Sequence, residues 1–231
     1  QTKFADIAVL PAFDRGVYRA KFPGLGKEEE NEVFSQELGK IVMGLRAHCH
    51  RERLAILMAH YTVPGCNAES GQSQFLTQFE PIIPSEALSA ADYDLVALGH
   101  IHRPQLVPGF NNVYYSGSIN ANNFNDEGQE RGFWIHYAKP KSFREKGMTI
   151  SNSEFVKTPY REFVTFHFTD TDITTIIDGN MDEVAMNYWR LNAPVTNKIV
   201  RVRYECSTEK KKAFNENMVA NALYEDGAFW V

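Results

Sequence analysis

The chain has 231 residues, of which 43% are hydrophobic and 23% charged, with a formal net charge of -5. This reads as an ordinary soluble globular chain of one or two domains. The charge excludes a global basic field, so any nucleic-acid binding has to rest on local patches or on bound metal.

No apolar run reaches the length of about 18 residues that a membrane helix needs, and the start has no signal-peptide pattern, so no membrane is expected as a partner. Cys49, Cys66 and Cys206 lie far apart and form no C-x-x-C pair. Neither a zinc knuckle nor a disulfide framework is indicated, which fits a reducing cytoplasm.

In chain order, residues 6–10 read as a strand. Over 27–50 the apolar positions Phe34, Leu38, Ile41, Val42 and Leu45 recur at three- and four-residue steps, the spacing of an amphipathic helix. Glu28, Glu29, Glu30 and Glu32 sit in its first turns, where the helix dipole favours negative charge. His48-Cys49-His50 close that helix and read as end-of-helix residues rather than metal ligands. Residues 54–59 form a short apolar run ending at His60, and 63–75 a Gly- and Ser-rich loop suited to the rim of a site.

Residues 95–98 repeat that design as a strand expected to be buried on both faces. The run stops at Gly99, and His100 and His102 follow at a spacing of two. Loops that leave the carboxyl edge of a sheet can bring side chains together, and imidazoles are good donors to first-row metals. A solvated loop with incidental histidines accounts for H-x-H alone equally well. A strand ending in His60 is likewise open between ligation and a hydrogen bond to a carbonyl.

Strands follow over 113–116 and 132–137, separated by an Asn-rich stretch at 120–129, and His136 reads as a strand residue without function. Lys139, Lys141, Arg144 and Lys146 make 139–146 basic. A solvated interdomain linker is the favoured reading, and a phosphate-contacting strip of Lys139, Lys141 and Arg144 the sharper one. Residues 162–169 alternate as a half-exposed strand with His167 on the surface. Helical signals over 172–189, a strand over 198–204, a helix over 208–224 and a strand from 228 complete the chain. Lys210-Lys211-Lys212 reads as a solvated helix face.

The stretch Y-D-L-V-A-L-G-H-I-H-R-P-Q at 93–105, followed by Y-Y-S-G-S at 114–118, resembles the metal-binding region of calcineurin-like metallophosphoesterases. It is most similar to the SbcD family, the nuclease subunit of the bacterial SbcCD DNA-repair complex. G-H-x-H alone marks the broad superfamily, whereas the flanking residues are narrower. The resemblance covers most of the chain and is strongest over 54–137.

That resemblance implies an α/β fold: the second half of a layered α-β-β-α metallophosphoesterase domain at 1–151, then a small α/β capping domain at 152–231 that guides DNA. It implies two divalent metals, manganese foremost, with His60 and His100 on one ion and His102 on the other. Asp126 or Glu127 stands where such sequences carry an acidic residue. DNA, an SbcC-like ATPase subunit and a second copy of the nuclease subunit are the implied partners. The family pattern opens with D-x-H, G-D-x-x-D and G-N-H-D, none of which occurs here. The chain is therefore expected to be a fragment whose parent has about a hundred or more further residues, and to be inactive by itself. A phosphoesterase acting on a small substrate, or a non-catalytic chain that binds DNA or a partner, are the alternatives.

Overall fold

The computed structural model describes residues 4–12, 16, 20, 23–68, 81–142 and 147–231. It is a mixed α/β structure with a mostly parallel central sheet, and contacts divide it into two compact units. The first comprises Gln1–Ile119 and Glu130–Thr158, the second Asn120–Gln129 and Pro159–Val231.

In the first unit, apolar runs form β1 (Ala5–Leu10), β2 (Leu54–His60), β3 (Leu95–Gly99) and β5 (Val113–Tyr115), and a two-residue strand β4 (Gln105–Leu106) closes the edge. The order is β1-β2-β3-β5-β4, parallel throughout except for the β4–β5 pair. Helices α1 (Lys27–Ala47) and α2 (Ser85–Ala91) supply the crossovers that parallel strands require. The four-residue spacing of Phe34, Leu38 and Val42 turns one face of α1 onto Ala8, Leu10, Leu57, Val96 and Leu98. The buried Tyr93 hydroxyl then donates to the Val42 carbonyl at 2.9 Å, tying α1 to the start of β3.

Burial on both faces, expected for residues 95–98, holds in β3, where the successive residues Leu95 and Val96 and then Leu98 are buried, but it does not extend to β1 and β2. Met58 on β2 and Ile7 and Val9 on β1 are 47%, 46% and 61% exposed. The helices cover one face, and strand residues alternate accordingly. A hairpin of β6 (Gly132–Pro140) and β7 (Met148–Lys157) stacks on the β5 end of the other face. There the Tyr114 ring meets Trp134 at 5.0 Å and His136 at 4.9 Å between centroids.

The boundary expected at 151 falls inside β7. The stretch read as an interdomain linker lies within the first unit instead, because its residues continue the hairpin. Lys139 and Pro140 belong to β6, and the Lys141 N–H donates to the Gly147 carbonyl at 2.9 Å.

In the second unit β8 (Phe163–Phe168) and β9 (Ile199–Tyr204) pair in parallel. Between them run α3 (Asp170–Ile177), α4 (Met181–Ala185) and a wide π turn (Met186–Arg190). Thr169 and Asp172 form a reciprocal capping box at the start of α3. The core gathers Phe166, Phe168, Ile173, Val184, Trp189, Val200 and Leu223. The single helix expected over 208–224 is two, α5 (Thr208–Ala213) and α6 (Glu216–Glu225). Phe214 turns to extended backbone so that its ring can pack on Tyr204, with centroids 4.8 Å apart. The strand expected from 228 is one parallel bridge, Ile199 to Trp230. Among the described residues no helix is long and apolar enough to cross a membrane.

Candidate functional site

Parallel neighbours β2 and β3 end level with each other, His60 in register with Gly99. Side chains leaving these ends converge outside the carboxyl edge of the sheet, where open α/β sheets bind ligands. The His60 and His100 rings meet there edge to face, with centroids 5.3 Å apart. His60 is exposed and His100 half-buried.

Two backbone features make this pair possible. A Cβ at residue 99 would lie 2.7 Å from the His60 Nδ1, so only glycine leaves room for the His60 ring beside the strand end. His100 holds φ at +92°, a region that residues with side chains rarely adopt. The buried Ile101 side chain anchors the loop from inside.

His102 is tied in by its backbone. Its carbonyl accepts the Ser118 N–H at 3.1 Å and the Arg131 Nη1 at 2.9 Å. Gly117, at φ +73°, passes so close that a Cβ would lie 2.7 Å from that carbonyl oxygen. The Y-Y-S-G-S segment thus packs against the histidine loop through its main chain.

Two imidazoles beside a cleared glycine fit a first-row divalent ion as part of a donor set. Among the described residues, no group of three or more His, Cys, Asp and Glu side chains is arranged to hold a metal ion. His60 and His100 form a pair, and the described side chains do not extend it to a full set with His102.

The remaining sequence candidates have ordinary surroundings. The His48 Nδ1 pairs with the Gly44 carbonyl at 2.8 Å at the end of α1. The His50 N–H donates to Asp6 at 2.7 Å, and Arg53 to the same carboxylate at 3.0 Å. With the His50 bond as the larger influence, and against the opposing pull of burial, these hold Asp6 below the usual carboxylate range. His136 pairs its Nδ1 with the Ser153 hydroxyl at 2.8 Å, and burial lowers its pKa. In the second unit Asp126 accepts the Asn122 N–H, while Glu127 accepts the N–H and hydroxyl of Thr165 at 2.7 and 2.6 Å.

Lys139 is exposed and Lys141 half-buried. Lys139 stands eight residues beyond Arg131 on β6, a path of roughly 25 Å at the rise of a strand. Arg144 and the later part of the rim loop at 63–75 lie outside the described residues.

The residue that sequence reasoning passed over is Arg131. It is wholly buried and bonded to the histidine loop. A lone arginine ahead of a strand reads as solvated, and nothing in its neighbours signals otherwise. Comparison of the chain with known protein families and with curated proteins gives no match.

Proposed function

We propose that the chain contributes His60, His100 and His102 to the divalent-metal centre of a DNA phosphodiesterase, a nuclease of SbcD type within the calcineurin-like metallophosphoesterases. One observation supports this reading above the rest. Two histidines from adjacent parallel strands lie with rings 5.3 Å apart, one of them held at φ +92°. Backbone strain of this kind clusters at functional sites, because packing alone has no use for it.

When bound, manganese or another divalent ion pair supplies phosphate polarisation and a water of lowered pKa. The protein's own part is to hold the imidazoles together at the carboxyl edge of the sheet. Lys139, Lys141 and Arg144 enter the reading as contacts to DNA phosphates. The roughly 25 Å along β6 corresponds to about seven base-pair steps of duplex. An SbcC-like ATPase, a second copy of the chain and a cytoplasmic setting complete the proposal.

A non-catalytic chain that binds DNA or a partner is the second reading. It is favoured by the lack of a three-donor group among the described residues.

The test uses end-labelled duplex DNA and manganese. Two or three neutral donors leave the charge of a metal pair uncompensated, so residues 1–231 by themselves should hold one ion weakly and leave DNA uncut. The protein as it occurs in its cell should cut, and His100→Ala or His102→Ala should abolish cutting while circular dichroism stays unchanged. Full activity in both variants would sink the metal-centre reading. An inert natural protein would favour the binding chain.

A further inference from the structure

The loop 99–104 is pinned where β3 ends, where Ile101 enters the core, and at the His102 carbonyl. The third point involves a wholly buried arginine, Arg131. A guanidinium shut away from water has to be met by acceptors, since an uncompensated buried charge is strongly unfavourable. The His102 carbonyl is one of those acceptors, and its bond to Arg131 is charge-assisted and stronger than a neutral one.

Arg131 is itself held by its main chain. Its carbonyl accepts the Thr158 N–H at 2.9 Å, and Gly132 next to it begins the β6–β7 ladder opposite Lys157. A rigid hairpin base is thereby connected to the histidine loop by one side chain. The Ser118 N–H shares the same acceptor, so both lone pairs of the His102 oxygen are engaged and the peptide plane after His102 is fixed.

We infer that Arg131 is the positioning residue of the histidine site, locking the His102 carbonyl so that His100 keeps its left-handed backbone and its place beside His60. A conformation like that of His100 persists only where the surroundings over-determine it. With the Arg131 bond removed, the segment between Gly99 and Pro104 can relax toward ordinary φ, and the His100 ring swings away from His60. The inference rests on reading His60 and His100 as metal donors. Partners that orient a ligand-bearing segment in this way typically change metal affinity by about 10–100-fold.

The experiment uses the full 231-residue chain as wild type, Arg131→Met and Arg131→Lys. Imidazole ring signals are recorded by NMR without metal and then during titration with cobalt(II). Arg131→Met should shift the His100 and His102 ring signals while those of His48, His50 and His167 stay in place. Arg131→Lys, which keeps a charged donor, should restore them. Cobalt affinity should fall about tenfold or more in the Met variant and stay within about threefold in the Lys variant.

A folded Arg131→Met protein with wild-type His100 and His102 signals would overturn the inference. If that variant does not fold, Gly117→Ala takes its place, because its Cβ would press on the same carbonyl from the other side. Unmoved His100 and His102 signals in Gly117→Ala would then overturn it. Cobalt that leaves the wild-type His60 and His100 signals untouched would instead defeat the metal reading. The metal-free spectra would still report what Arg131 does to the loop.

Discussion

At the scale of single residues, stability and function pull on His100 in opposite directions. Its φ of +92° is unfavourable for a residue with a Cβ, by about 1–3 kcal/mol. Glycine carries no such penalty, although it brings back part of the cost as chain entropy. His100→Gly should therefore raise unfolding stability by about 1 kcal/mol in urea titration while weakening cobalt binding. A loss of stability would show that the imbalance is not there. Not all of this arrangement was legible in the sequence. The glycine and the two histidines announce themselves by type and spacing. The strain at His100 and the burial of Arg131 do not, since both arise from how a distant hairpin meets the loop, and no local pattern encodes that meeting.

At the scale of elements, the strands rich in Val, Leu and Ile are legible because burial on the helix-covered face selects them. β7 is not, because Thr149, Ser151, Asn152 and Ser153 dilute its alternation on a largely exposed hairpin. The break between α5 and α6 is hidden for a different reason. Phe214, Met218 and Ala222 keep helical spacing through 208–224, while the core draws the buried Phe214 out of the helix. Asn215 then restarts the helix, its side chain accepting the Asn217 N–H at 3.1 Å. Asn215→Ala should lower stability by about 1 kcal/mol in thermal or urea unfolding, as N-cap deletions do. An unchanged midpoint would mean that tertiary packing alone sets the helix start.

At the scale of the whole molecule, the two units have separate cores, and acid should act on the first through Asp6. This buried carboxylate joins β1 to the residues between α1 and β2 by way of the His50 N–H and Arg53. Its folded pKa is depressed, so its contribution is fully present above the unfolded value of about 3.9 and is lost as pH falls through the lower folded value. Asp6→Asn should be less stable than wild type at pH 7, and the two curves should converge at the acid end. A gap between the proteins that stays constant with pH would show that the charge of Asp6 is not what matters.

The apolar side chains that the described residues leave exposed on β1 and β2 have a consequence for how the protein behaves in concentrated solution. β1 is an edge strand, and Ile7 and Val9 point from it into water beside Met58 of β2. An edge strand carrying an apolar row can act as a template on which other copies nucleate, and natural edges are commonly blunted with lysine. Colloidal stability, and not folding free energy, should therefore limit how far the purified chain can be concentrated. Val9→Lys should delay the onset of light scattering to severalfold higher protein concentration, with unfolding stability kept within about 0.5 kcal/mol. Scattering that begins at the same concentration would acquit this edge.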